Sequence, residues 1–299
     1  MSFLNPVNES VLRFSSTDAN APQINYNART AGDVKAVLKA CLVTGYGAVA
    51  SAGWSVVNEV DNVCEFVSPS VAMSDYRLGI NDTSASSTTW YYQYQDARVN
   101  PAKNVLNKSF MYVNKASNNN GWQLLVTDRG IVFVEVLYST TVNKKVARMT
   151  YFGQTKTMLA GASNQNIAFF NIGASAASAD PQSFFTSTTS NTHYNISGLT
   201  AISFAAANID MFTNNMSWYS STVDMVAPLY LRNGANMVAE QPAILLKKVN
   251  KEDDLYGVYD DVVSLRPVLH VLAAFSDANA NYMNDFSRAF NIYLDYWEF

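Results

Sequence analysis

The sequence predicts an α+β protein that is mostly β, with an antiparallel sheet carrying one prominent N-terminal helix and a β-rich second half. Three observations predict it. A single helical stripe stands out near the start, short strand-like runs separated by turn residues recur after it, and charge is scarce throughout. Charged residues make up 15% of the 299 residues while hydrophobic ones reach 48%, with 17 Tyr and 16 Phe. That balance fills a sizeable core and favours strands over a charged helical surface.

Residues 1–29 read as an extended arm, rich in the Asn, Asp, Ser and Pro that favour turns, with β character at Val11 to Ser15. Such arms reach neighbouring subunits, and Asn20, Pro22, Asn25 and Tyr26 are the residues expected to make that contact. The helix follows. Val34, Val37, Leu38, Cys41 and Leu42 fall at i, i+3, i+4, i+7 and i+8, which places an apolar stripe on one face and leaves Lys35 and Lys39 outside it. Thr30 is expected to cap the N-terminus with Asp33 three residues on, and Gly45 to end the helix by a left-handed turn.

A hairpin is expected next, Trp54 to Val60 and Val63 to Ser68 around Asp61-Asn62. Further strands are read at Tyr76 to Ile80, Thr88 to Tyr94, Phe110 to Asn114, Trp122 to Thr127, Ile131 to Tyr138 and Val146 to Phe152. Turn residues at 118–121, 128–130 and 143–145 suit antiparallel connections. The region 30–155 is thus a helix on an antiparallel sheet. Residues 156–299 form a charge-poor, β-rich second domain or the second half of the same one. Ile167 to Ile172, Thr200 to Ala206, Met225 to Leu231 and Ala243 to Val249 read as strands, and Val262 to Phe275 as a strand with a short helix. The aromatic close, Ile292 to Phe299, is expected to complete a sheet of its own chain or augment one in a neighbour.

The net charge of −4, with no basic run, argues against nucleic-acid binding, which needs clustered cations. The opening MSFLNPVNES carries no cationic region followed by an apolar core, so no secretory signal is expected. The uncharged stretch from Thr157 to Ala179 holds too many Ser, Asn and Gln to span a membrane. Cys41 and Cys64 read as small buried hydrophobes, and His193 and His270 as isolated turn or core residues. Glu252-Asp253-Asp254 and Asp260-Asp261 could hold calcium or act as paired carboxylates, yet Lys247, Lys248 and Lys251 upstream favour a solvated loop. Phosphate loops, dinucleotide fingerprints, nucleophile elbows and zinc-protease helices are missing from the sequence, so no catalytic, cofactor-binding or metal residues are assigned and no cofactor is expected. No Lys or Arg occurs between Lys156 and Arg232, and a surface so poor in charge is expected to be covered by neighbours.

Several stretches carry a resemblance. Ala21-Pro22 leads into the helix, and Thr44-Gly45-Tyr46-Gly47 leads out to Gly53-Trp54. The strands Trp122 to Thr127 and Ile131 to Leu137 are followed by Tyr151-Phe152-Gly153, with Pro228-Leu229-Tyr230-Leu231 and Leu255-Tyr256-Gly257-Val258-Tyr259 further on. This arrangement resembles virion structural proteins of tailed bacteriophages, whose aromatic-Phe-Gly-Asp step has Asp where Gln154 stands here. The resemblance implies a non-enzymatic building part of the head, neck or tail, made in the host cytoplasm, with other virion proteins and copies of itself as partners. An alternative reading comes from the aromatic run itself. Trp90, Tyr92 and Tyr94 would form a platform for a host-surface glycan in a receptor-binding tail module, although strand alternation sends about half of Trp90 to Tyr94 into the core.

Overall fold

The computed structural model describes residues 7–24, 30–85, 87–94, 108–113, 119–139, 144–157, 167–172, 183–187, 192–195, 225–233, 236–249, 256–261, 264–272 and 287–299. These residues are mostly strand, in antiparallel sheets joined by one helix. The reason for the layering lies in two nearly continuous apolar runs, Trp122 to Val126 and Ile131 to Val136. Alternate residues of a strand point to opposite faces, so a run without polar gaps can be buried only between two layers. Leu124, Val126, Ile131, Phe133 and Phe152 enter one hydrophobic cluster, while Leu125, Val132, Val134, Val136 and Tyr151 enter a second.

That middle layer is a seven-stranded sheet in the order Thr192–Asn195, Ser183–Ser187, Ile167–Ile172, Lys144–Gln154, Gly130–Ser139, Asn119–Thr127 and Leu12–Ser15. On one face lies the helix with a five-stranded meander, Ser55–Val60, Val63–Val67, Tyr76–Asn81, Ser87–Tyr94 and Lys108–Val113. On the other lies a sheet ordered Lys156–Thr157, Asn236–Val249, Ser287–Tyr293, Pro267–Leu272 and Gly257–Asp260, with Met225–Asn233 also paired to Asn236–Val249. A ribbon of Asn8–Ser10 and Tyr296–Glu298 completes the β structure. The expected Thr200 to Ala206 strand and the helical part of Val262 to Phe275 lie outside the described residues.

The helix forms where its stripe predicts, as an α-helix over Asp33–Lys39 that widens into a π-turn over Ala40–Thr44 and stops at Gly45, whose φ is 75°. All five stripe residues are buried. Its cap differs from the expectation. Thr30 donates from both its amide and its hydroxyl to the Asp33 carboxylate, so its side chain offers the helix no acceptor and only its carbonyl takes a helix amide, that of Asp33 at 3.4 Å. The acceptor is Asp82, fully buried at the end of a strand, which takes the amides of Val34 at 2.9 Å and Lys35 at 3.2 Å and the Thr88 hydroxyl at 2.7 Å. A carboxylate at this end satisfies orphan donors and complements the helix dipole.

The arm also differs from the expectation, because residues 7–24 are sewn into their own chain. Asn8–Ser10 pairs with Tyr296–Glu298 and Leu12–Ser15 pairs with Gln123–Val126. Phe14 is buried against Tyr46, and the Pro22 carbonyl accepts the Trp122 indole N–H at 3.1 Å. Asn20 sits exposed in a tight turn at φ 63°, and Asn25 and Tyr26 fall outside the described residues. The Leu12-Phe14 alternation supplies the reason, since burying Phe14 in the first cluster draws the segment onto the sheet. Gly121, expected in a turn, sits instead in a strand bulge at φ 112°, where a Cβ would strike Ser16.

Candidate assembly surface

Three of the stretches that carry the resemblance meet in one place. Trp54, at the exit of the helical unit, is buried with its ring 6.4 Å from that of Phe152 in an edge-on arrangement, and its indole N–H donates to the Thr127 carbonyl. Phe152 meets Phe169 edge-on at 6.3 Å. Tyr151 points the other way, into the second cluster, with its hydroxyl donating to the Gln154 carbonyl at 2.5 Å. Burial pushes the Tyr151 hydroxyl pKa well up, so it stays a donor.

Gly153 has a steric purpose. It pairs across the ladder with Gly130, and a Cβ on Gly153 would lie 2.6 Å from the Gly130 Cα. That closeness seats the next residue. The Gln154 amide N–H donates to the Arg129 carbonyl at 2.8 Å, and Arg129 donates back to the Gln154 side-chain oxygen at 3.2 Å. A carboxylate reaches Arg129 from the first strand instead, that of Glu9 at 2.5 Å. Burial raises the Glu9 pKa, and the Arg129 contact offsets part of that rise. Arg129 also lies over the Phe299 ring at 5.6 Å, so the hairpin turn, the first strand and the chain's last residue converge on one guanidinium. Lys156 holds Glu298 at 2.8 Å at the ribbon's second strand.

Other polar groups are engaged inside the fold. Glu65 accepts Gln93 at 2.9 Å and Tyr91 at 3.3 Å and lies 3.5 Å from Arg77. His270, in a buried row, meets Asn291 at 2.5 Å, Asn291 reaches Asp261 at 3.3 Å, and Asp261 accepts the Ser264 amide and hydroxyl. Asp260 is exposed while its neighbour Asp261 is buried, so the solvated-loop expectation fits the first and misses the second. Residues 252–254 and the His193 side chain lie outside the described part. Cys41 and Cys64 are buried free thiols, and burial pushes Cys64 up to about 11 and raises Cys41 as well, which keeps both unreactive. Among the described residues no group of three or more His, Cys, Asp or Glu is placed to hold a metal, and no helix is long and apolar enough to cross a membrane.

The aromatic platform needs a correction. Trp90 is 1% exposed and packs on Phe133 with centroids 5.4 Å apart, so it is a core residue with no face for a sugar. Tyr91 is buried on the opposite side of the same strand, its ring lying across Gly79 to reach Glu65. Both faces of this strand are covered, which alternation alone did not disclose. The side chains of Tyr92 and Tyr94 lie outside the described part.

What the described surface does offer is strand edge. Ser55–Val60 ends the five-stranded sheet and Gly257–Asp260 ends the sheet on the far side. Beyond the second edge a turn displays Leu265, 81% exposed and at a φ of 56° that costs a leucine about 1 kcal/mol or more. The described residues on either side are tied down. Asp261 binds Ser264, the Asp261 amide donates to the Arg266 carbonyl, and Arg266 is clasped by Asp295 between Tyr293 and Tyr296 rings at 3.6 and 3.8 Å. Comparison with protein-family models, curated proteins and solved structures finds no match to this chain.

Proposed function

We propose that this protein is a non-enzymatic structural component of a tailed-phage virion, assembling through subunit contacts in the head, neck or tail. The observation that supports the reading most is the junction of its motifs. The helix exit, the paired strands and the Tyr151-Phe152-Gly153 step lie far apart in sequence, yet they close on one another through Trp54, Phe152 and the Gly130–Gly153 contact. These residues act as architecture, and the reading gives their resemblance an architectural meaning.

A second support comes from the surface. Of the exposed apolar side chains, Leu12, Val57, Val60, Val258 and Tyr259 lie on strands that end sheets and Leu265 on a turn held in a costly conformation, as expected of a chain that completes its burial against neighbours. The first segment is a fixed part of the subunit, so the contacts are made by folded edges more than by a loose N-terminal arm. Cryo-electron microscopy of the particle tests the reading. The expected result is repeated copies of this fold in a ring or on a lattice, and absence of the protein from purified particles would overturn it.

A further inference from the structure

The edge Gly257–Asp260 has a distribution of charge that selects its occupant. At its start, Tyr256 carries the Lys145 ammonium 5.4 Å from its ring centroid, and its hydroxyl meets Gln123 at 2.5 Å, the residue that also accepts from Arg13. At its finish stands the exposed carboxylate of Asp260. Among the described residues, the edge has a lysine beside one end and an exposed carboxylate at the other. Between them Val258 is 49% exposed and Tyr259 is 47% exposed, and no described strand pairs with the outer side.

We propose that this edge pairs with the same edge of a second copy of the chain, antiparallel about a two-fold axis. An antiparallel arrangement brings the carboxylate end of each copy to the lysine end of the other. Geometry restricts the register further. A two-fold axis relating antiparallel strands of one sheet stands perpendicular to that sheet, so paired residues share a face and differ by an even number. Centring the axis on Val258 puts Val258 opposite Val258 of the second copy and Asp260 opposite Tyr256 of the second copy, beside its Lys145. The Asp261–Arg266 turn follows directly, which brings Leu265 to the same end of the second copy.

The edge Ser55–Val60, which also ends a sheet, does not compete for this role. Ser55–Val60 carries a bulge between Val56 and Asn58, and its Glu59 draws in Lys35 at 2.7 Å and Lys39 at 2.8 Å. Bulges and charged side chains are the devices that keep an edge unpaired. Gly257–Asp260 has no bulge in its register with Pro267–His270, no lysine and no proline. Its apolar centre is unguarded.

This inference deepens the assembly reading by naming one contact, and it rests on that reading for its biological setting alone. The test uses the purified full chain in sedimentation velocity over a concentration series. A reversible two-copy species is expected. Asp260→Lys should weaken it roughly tenfold or more, the scale of one close charge pair, and adding Lys145→Glu to that variant should restore it. Val258→Cys should oxidise to a covalent dimer while Val60→Cys, on the guarded edge, does not. A chain that stays monomeric throughout overturns the proposal, as does a dimer indifferent to Asp260→Lys that gives no Val258→Cys cross-link. Particles that incorporate a monomeric chain would remove this contact and leave the virion reading standing. A dimer absent from particles would do the reverse.

Discussion

The strands Ser55–Val60 and Gly257–Asp260 occupy equivalent places, each ending a sheet and each largely open to solvent, but they are finished differently. The first is bent by a bulge and screened by two lysines gathered on Glu59. Those lysines are in place because Asp82 fixes the start of their helix. The second keeps an unbroken register with its neighbour, is apolar at its centre and is followed by an exposed leucine in a left-handed conformation. The difference teaches that edge protection is a property of the whole subunit, built here from a strand, a helix and a remote carboxylate. Where those devices are missing, the edge is left open to the pairing proposed above.

The largest way to disturb the contrast is at Asp82. Asp82→Ala leaves two helix amides and the Thr88 hydroxyl without their buried acceptor and should cost about 2–4 kcal/mol, read by urea denaturation. A loss too small to resolve would mean the helix is not held from that strand. The next effect concerns the support of the Leu265 turn. Burial pushes the Asp295 carboxyl up, but the Arg266 guanidinium and the Tyr296 amide outweigh it and hold the pKa below the ordinary range. A carboxylate whose folded pKa lies below its unfolded one contributes stability that is complete above the unfolded value and is lost as pH falls through the folded value. Arg266→Met should thus be less stable than wild type at neutral pH, with the gap narrowing below the ordinary aspartate range. A constant gap across an acid titration would count against the pairing.

Smaller effects separate the fold from the contact. Leu265→Gly relieves the positive φ and should gain about 1 kcal/mol of stability by thermal or urea unfolding while weakening self-association. Loss of stability instead would show that Leu265 packs within its own subunit. The smallest change is expected from Glu59→Gln, which sits on the surface and should leave the unfolding midpoint unmoved. It should also leave the oligomeric state unchanged, because the bulge persists.

Much of the fold is legible in the sequence. The i, i+3, i+4 pattern from Val34 to Leu42 placed the helix and its buried face, and period-two runs and turn residues placed most described strands. Local patterns cannot name a partner at a distance, however. Thr30 looked like the cap because it is adjacent, whereas the real acceptor, Asp82, lies 48 residues beyond Val34 and is brought there only by the meander. The same limit applies to Trp90. Alternation says that one face of its strand is buried and does not say which, and here the Trp90 and Tyr91 sides are both covered. The first segment read as an arm because turn residues surround Phe14, while its pairing with Gln123–Val126 depends on a strand over a hundred positions away. One signal was present and sufficient for the layering, since unbroken apolar runs at 124–126 and 131–134 demand cover on both faces. The edge at Gly257–Asp260 shows in sequence only as Val-Tyr beside an acid, and its importance emerges from the topology that leaves it last.

Hydrogen exchange of the full chain at low and high protein concentration, read separately over residues 55–60 and 257–260, tests the contrast most directly. The account predicts slowing at 257–260 as concentration rises and no change at 55–60. Equal behaviour of the two edges, or slowing confined to 55–60, would contradict it.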